Sequence, residues 1–144
     1  MALCADIAGD KEGQTRYQKL AGELRKKLFD LYWNENKKAL VHSRVNGKQT
    51  ENVTRYANMF SIFFNYFTEE QKQAVKTSVL LNDQIPKITT PYMRFYELEA
   101  LCALGEHRYV LEEMKNYWGG MLQLGATSFW EEYNPDKKGE EHLA

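Results

Sequence analysis

The stretch from Gly125 to Pro135 carries the residues whose types and spacing are best suited to chemistry. It reads Gly-Ala-Thr-Ser-Phe-Trp-Glu-Glu-Tyr-Asn-Pro, so a bulky aromatic pair leads directly into two adjacent carboxylates. A carboxylate beside an indole ring lies against apolar surface that solvates its charge poorly. Its affinity for a proton and its reach toward a bound water can therefore be tuned. The pattern predicts a loop that holds a candidate general base.

Only one of the two carboxylates is expected to face a cleft. Successive side chains of an extended loop point apart, so Glu131 and Glu132 cannot both reach the same ligand. The indole of Trp130 can stack on a sugar ring. The alternative interpretation is that Phe129 and Trp130 fill the core and that both glutamates are solvated, as most such residues are.

The composition is that of one folded domain. The chain has 144 residues, of which 43% are apolar and 13% aromatic, well above the content of a disordered chain. The net charge of -1 creates no field that would gather phosphates, so nucleic acid is not expected as a partner. No apolar run has the length of a membrane span and no signal peptide is recognisable, so no membrane contact and no compartment are predicted.

The sequence indicates no cofactor and no metal site. Cys4 and Cys102 lie far apart, which fits neither a disulfide framework nor a metal cluster. His42, His107 and His142 have no metal-ligand spacing with one another or with the cysteines. The nucleophile-elbow and phosphate-loop motifs are also missing.

Helical patterns cover most of the chain. Apolar spacing and start or stop signals predict helices over residues 1–8, 14–33, 56–67, 68–80, 92–104 and 106–124. Between the second and third helices, residues 39–45 predict a short extended piece and Asn46-Gly47 a tight turn, but no sheet. The order of the elements predicts an all-α fold of antiparallel helical hairpins.

Three local signals refine these helices. Thr68 to Gln71 has the form of a capping box. Thr90-Pro91 predicts a hydroxyl cap followed by proline in the first turn of a helix. The Gly119-Gly120 pair inside the last helix indicates either a close approach of another group to the backbone or a break.

Three segments together resemble the catalytic domain of α-L-rhamnosidases, glycoside hydrolase family 78. They occur in the expected order and read Thr-Thr-Pro-Tyr-Met-Arg-Phe-Tyr-Glu-Leu-Glu-Ala-Leu (89–101), Tyr-Trp-Gly-Gly-Met-Leu (117–122) and Gly-Ala-Thr-Ser-Phe-Trp-Glu-Glu-Tyr (125–133). Members of this family are inverting glycoside hydrolases with an (α/α)6 toroid. The resemblance therefore implies part of a six-hairpin toroid and a carbohydrate substrate, a rhamnoside.

The resemblance also implies roles for particular residues. The general base falls on the glutamate directly after the tryptophan, which is Glu131, with Glu132 as the alternative. Trp130 is expected to form an apolar wall for the methyl face of the deoxy sugar. The family's general acid lies in an acidic, tryptophan-rich segment upstream, and no stretch of residues 1–144 matches that segment, so no acid is assigned.

Three further residues are candidates for lining the cleft. Tyr92 stands at the start of the helix that follows Thr90-Pro91, and Tyr56 and Asn58 stand at the start of the aromatic-rich third helix. For each of them, core packing or capping remains an open alternative.

The predicted helices are too few to close a toroid. We therefore expect residues 1–144 to be one partial catalytic domain of a larger glycosidase, with residues 125–144 forming a catalytic-type loop and a polar tail. The isolated chain is expected to be inactive. Its exposed helix faces are expected to favour self-association.

Two other functions remain open at this point. The chain can be a helical-repeat binding or scaffold module, in which the helices only pack, although no fixed repeat period is visible. It can also be a toroid enzyme that acts on another sugar, because one fold houses many specificities.

Overall fold

Helices form most of residues 1–135, the part of the chain that the computed structural model describes. The α-helices are α1 (Ala2–Ile7), α2 (Lys11–Tyr32), α3 (Arg55–Phe63), α4 (Glu69–Val75), α5 (Pro91–Ala103) and α6 (His107–Gln123), and a π-helical turn, Lys76–Leu80, continues α4. This confirms the all-α prediction. The polar tail expected after Pro135 lies outside the described residues.

Two short antiparallel ribbons connect α2 to α3. Strand β1 (Trp33–Asn34) pairs with β2 (Ala39–Leu40), and β3 (Arg44–Val45) pairs with β4 (Lys48–Gln49). The predicted turn at Asn46 and Gly47 joins the second pair, with φ of 50° and 78°, as a two-residue hairpin turn of the primed type requires. The sequence predicted no sheet here because strands of two residues are too short to leave an alternating pattern.

The helix ends show which local signals decide the boundaries. Helix α2 begins three residues earlier than predicted, because the Asp10 carboxylate accepts a hydrogen bond from the Gly13 amide at 2.8 Å and so caps the first turn. Helix α3 ends at Phe63, four residues before the predicted end. Asn65 then takes a left-handed conformation, with φ of 57°.

The two predicted caps have different outcomes. The capping box is confirmed, since Thr68 and Gln71 satisfy each other's backbone amides. Pro91 occupies the first turn of α5 as predicted, but the Thr90 hydroxyl makes no capping bond. It is buried without a hydrogen-bond partner among the described residues, so the predicted hydroxyl cap of α5 is wrong.

The core lies where α3 packs on α5 and α5 packs on α6, with the π-helical turn and the first ribbon closing it. The buried apolar side chains that meet there include Leu40, Met59, Ile62, Val79, Leu98, Leu101 and Val110. Helix α2 joins this core near its C-terminal end, where the Phe29 ring contacts the Phe67 ring at a centroid distance of 5.6 Å. Most of α2 is exposed.

Four charged residues form a network inside this core. Arg55 of α3 and Arg94 of α5 both donate to the Glu97 carboxylate, Arg94 at 2.7 Å, and Arg94 also pairs with Glu113 of α6. Arg55, Arg94 and Glu97 are at most 1% exposed. Arg55 further donates to the backbone carbonyls of Leu80, Asn82 and Ile85 at 2.8 to 3.2 Å. The network therefore connects three helices and the loop after the π-helical turn.

No helix within residues 1–135 combines the length and apolar character that a membrane crossing needs.

The buried network generates a stability prediction. Glu97→Gln leaves two buried guanidinium groups without their shared anion, so we expect the free energy of unfolding to fall by about 3–5 kcal/mol, or cooperative unfolding to be lost. Glu99→Gln is the matched control, because Glu99 is exposed on the same helix and should change stability by less than about 0.5 kcal/mol. Urea denaturation followed by circular dichroism measures both. Equal stability of the two variants would contradict the role given to the network.

Candidate active site

The loop after α6 returns to the N-terminal end of α5 and is fastened there. The backbone carbonyl of Thr89 accepts a hydrogen bond from the Tyr117 hydroxyl at 2.6 Å and another from the Tyr133 amide at 2.8 Å. The Thr89 hydroxyl donates to the Glu132 carboxylate at 3.1 Å. Thr89 thus connects the start of α5 to α6, through Tyr117, and to the loop, through Glu132 and Tyr133.

Tyr133 anchors this loop by packing as well as by its backbone. Its side chain is 6% exposed, and its ring contacts the Tyr117 ring at 5.2 Å and the Trp130 ring at 5.9 Å between centroids. The phenol lies over α6 where Gly120 has no side chain. A Cβ at Gly120 would stand 2.4 Å from the Tyr133 hydroxyl oxygen, so the close approach predicted for the glycine pair is confirmed at Gly120, and α6 runs through the pair without a break.

Tyr117 connects the loop to the buried charges. Burial raises the pKa of the Tyr117 phenol, although the nearby Arg94 guanidinium opposes this rise. The Arg94 guanidinium carbon lies 5.6 Å from the centroid of the Tyr117 ring, within the range of a cation–π contact. The Tyr117 hydroxyl therefore remains a proton donor to Thr89 at neutral pH.

Below the loop, an open groove of about 930 Å³ runs between α5 and α6. Its walls are mainly apolar and aromatic. Tyr92, Trp130 and Glu131, three of the residues singled out in the sequence, line it together with side chains of both helices, among them Phe95, Leu98, Met114, Trp118 and Phe129. The loop thus brings an indole and a carboxylate to one end of a concave apolar surface.

The two adjacent glutamates are arranged differently. Glu132 accepts the hydrogen bond of Thr89, whereas Glu131 lines the groove. Both are exposed. The assignment of the general base to Glu131, with Glu132 as the alternative, stays a prediction.

The two predicted tyrosines are both exposed, but only Tyr92 lines the groove. Tyr92 is 68% exposed, and its hydroxyl lies 3.3 Å from that of Tyr96, an interaction that raises the pKa of Tyr96. Tyr56 is 42% exposed at the start of α3 and does not line the groove.

Asn58 is placed in the interior and not in a cleft. Its side chain is 0% exposed, and its amide exchanges hydrogen bonds with the backbone of Leu40 at 2.9 and 3.0 Å and donates to the Thr54 carbonyl at 2.8 Å. Asn58 therefore joins the ribbon to α3, and the interpretation of Asn58 as a substrate-binding residue is corrected to a structural role.

Sequence reasoning missed one carboxylate of the groove. Glu99 lines the groove, whereas Glu97, two residues earlier on the same helix, is buried. The spacing of Glu99 from Tyr92 in the sequence could have indicated that both line the same surface. Glu99 stands seven residues after Tyr92, two helical turns along the same face of α5.

The described residues contain no group of three His, Cys, Asp or Glu side chains that could hold a metal ion. A second hollow, of about 390 Å³, is lined by residues such as Lys37, Glu51 and Asn82 and by none of the predicted site residues. The groove is therefore the feature that collects the candidate residues.

Comparisons with known proteins agree with this architecture. A family model described as the bacterial alpha-L-rhamnosidase 6 hairpin glycosidase domain matches residues 1–143. Among solved structures, a GH78 family rhamnosidase of Bacillus sp. GL1 is similar with a TM-score of 0.81 and 23% identity, over 92% of this chain and 15% of that one.

A rhamnosidase from Klebsiella oxytoca, whose structure has rhamnose bound, is similar with a TM-score of 0.65 and 21% identity, over 86% of this chain and 23% of that one. At such identities the two likenesses show the fold, and the chain spans less than a quarter of either rhamnosidase. The comparison with curated proteins gave no match.

The glycine pair supplies a matched test of how the loop is held. Gly120→Ala forces the Tyr133 ring away from α6, so we expect a loss of about 1–3 kcal/mol in the free energy of unfolding and faster proteolytic cleavage next to Phe129. Gly119→Ala meets no atom within 4 Å and should gain up to about 1 kcal/mol from helix propensity. Denaturation and limited proteolysis with mass mapping measure both effects. The anchoring role of Tyr133 is refuted if the two variants behave alike.

Proposed function

The chain belongs to the bacterial α-L-rhamnosidase six-hairpin glycosidase family, and on this premise we propose that it forms one side of the active site of an inverting α-L-rhamnosidase. In this proposal Glu131 is the general base that activates the attacking water. The substrate is a carbohydrate with a terminal α-L-rhamnosyl group. Family membership argues against the alternative of a helical-repeat scaffold module.

The position of Glu131 is the observation that carries the proposal. A general base must reach a water that is held against the substrate, and Glu131 lines an open groove directly after Trp130. It forms no hydrogen bond or ion pair within residues 1–135. Glu132, by comparison, already accepts a hydrogen bond from Thr89. A carboxylate that is anchored beside the groove is the poorer candidate for proton transfer.

The reaction needs a second carboxyl group. An inverting glycosidase holds its acid and base roughly 6.5–9.5 Å apart, on opposite sides of the scissile bond. Glu131 takes a proton from water while the water oxygen bonds to the anomeric carbon. The bond to the leaving oxygen breaks at the same time, and the acid protonates that oxygen. We assign the acid to a segment outside this chain, in keeping with the family resemblance, and we propose that residues 1–144 are a partial catalytic domain.

Neighbouring side chains fit the binding of a deoxy sugar. The half-buried Trp130 ring is fixed against Tyr133 and offers an apolar wall to the methyl face of rhamnose. Tyr92 presents an exposed phenol at the same end of the groove. Tyr56 remains a proposed sugar contact from the adjacent helix α3. No cofactor is required for this chemistry.

The first test uses the chain by itself. Because the proposal places the acid elsewhere, the purified 144-residue chain is expected to release no measurable product from an aryl α-L-rhamnoside. Turnover by this chain, removed by Glu131→Gln, would show that its own residues supply the acid.

The second test compares the two glutamates in a longer protein that joins this chain to the segment carrying the acid. Glu131→Gln should lower kcat by about 10²–10⁴ because the water loses its base, while Glu132→Gln should retain most activity. Azide needs no base to attack, so added azide should restore turnover of Glu131→Ala and give a rhamnosyl azide of inverted configuration. Loss of activity in Glu132→Gln alone would reassign the base.

A further inference from the structure

The turn at Asn46 and Gly47 brings together the atoms that an intramolecular reaction needs. The Asn46 side-chain amide has an electrophilic carbon, and the backbone nitrogen of the next residue can attack it to form a five-membered cyclic imide. Only at this position of the sequence does a glycine follow an asparagine. Gly47 has no side chain to hinder the attack, and the space around it is open, since an added Cβ would meet no atom within 4 Å.

The reacting groups are also free. Both residues are exposed. The Asn46 side chain, the Asn46 carbonyl and the Gly47 backbone nitrogen form no hydrogen bond within residues 1–135. The Arg44 guanidinium donates to the Gly47 carbonyl, which belongs to the following peptide bond. The peptide bond between Asn46 and Gly47 can therefore rotate without breaking a hydrogen bond.

The backbone of this turn already has part of the geometry that the imide requires. Asn46 has φ of 50° and Gly47 φ of 78°, as in a type I′ turn. Closing the imide ring turns ψ of Asn46 to about −120°, the value that a type II′ turn has at its first central residue together with φ of about +60°. Type II′ also joins paired strands through two residues. Rotation of a single peptide bond thus reaches the reactive geometry while β3 and β4 stay paired.

Asn65 provides a comparison within the same chain. Its backbone is also left-handed, with φ of 57°, but the next residue is Tyr66. The Tyr66 nitrogen donates to the Ser61 carbonyl at 2.7 Å, and the tyrosine side chain is bulky. The attacking atom is therefore both engaged and hindered at Asn65, whereas it is free and open after Asn46.

We propose that Asn46 is a site of spontaneous deamidation. The Gly47 nitrogen loses its proton and bonds to the Asn46 Cγ, and the side-chain nitrogen leaves as ammonia. Water then opens the imide. If the bond from the nitrogen to Cγ breaks, the product is aspartate. If the bond to the backbone carbonyl carbon breaks, the product is isoaspartate, in which the main chain runs through Cβ and Cγ and is one atom longer. The reaction needs only this chain and water.

Isoaspartate at this position disturbs the second ribbon. The longer main chain no longer fits a two-residue turn, so the pairing of β3 with β4 weakens. Gln49 of β4 transmits the effect, because its side-chain amide donates to the carbonyls of Leu31 at 3.1 Å and Trp33 at 2.9 Å and accepts from the Asn34 amide at 2.8 Å. The modification therefore loosens the attachment of this ribbon to the end of α2. None of residues 44–49 lines the groove that holds Glu131.

The test follows the purified chain during long incubation in a mildly alkaline buffer. Peptide mapping by mass spectrometry measures deamidation at each asparagine, and labelling by an isoaspartyl methyltransferase measures isoaspartate. A synthetic peptide of residues 43–50 reports the same reaction without the fold. Asn46→Gly is the matched control, because a Gly-Gly pair keeps a primed turn but has no side-chain amide to react.

The folded chain should deamidate at Asn46 at least about tenfold faster than at Asn65, and within about tenfold of the rate of the peptide. The incubated chain should unfold at a lower urea concentration than fresh protein, whereas incubation should leave Asn46→Gly unchanged. An Asn46 that stays intact in the folded chain while the peptide reacts would overturn the proposal, because the hairpin would then prevent the rotation. An equal loss of stability in incubated Asn46→Gly would overturn the effect assigned to the ribbon.

Discussion

The shared use of one buried carboxylate holds this structure together. Glu97 accepts hydrogen bonds from both Arg55 and Arg94, and Arg94 also pairs with the largely buried Glu113, so three helices meet at charges that are mostly removed from water. Removing charges from water is costly, and only dense pairing in a fixed geometry compensates for it. The Arg94 Nε atom remains without a partner among the described residues. The helices can therefore not shift against one another without separating buried charges.

Contacts with this network fix the position of the candidate active site. Arg94 lies against the Tyr117 ring, Tyr117 bonds to the carbonyl of Thr89, and the same carbonyl fixes the backbone at Tyr133. The loop that presents Glu131 is irregular, but a continuous series of side-chain and backbone contacts connects it to the buried ion pairs. A site on a loop is precise only when its supporting contacts are rigid, and here those contacts come from helices α5 and α6.

Local signals in the sequence predicted much of this, and contacts between distant residues account for what was missed. The capping box at Thr68, the turn at Asn46 and the crowded backbone at Gly120 depend on neighbours in sequence or on one small residue, and all three were recognised. The burial of Asn58 was left open as an alternative to a place in the cleft, because its partner Leu40 lies on a ribbon too short to predict. The pairing of Arg55 with Glu97 spans 42 positions, and no periodic pattern reports which helix faces meet. The resemblance that pointed to Glu131 as the candidate base could not show that Glu132 accepts a hydrogen bond from Thr89.

The number of residues in the π-helical turn Lys76–Leu80 affects how the buried Arg55 charge is paired. This turn contains the carbonyl of Leu80 and precedes those of Asn82 and Ile85, all three of which accept hydrogen bonds from Arg55. Such turns arise where one extra residue is accommodated inside an α-helix. Deleting one residue there would restore regular helix but rotate everything after it by about 100°. The guanidinium would then face the wrong side of the following loop. Length variation in this segment is therefore constrained by a charge more than twenty positions earlier, on another helix.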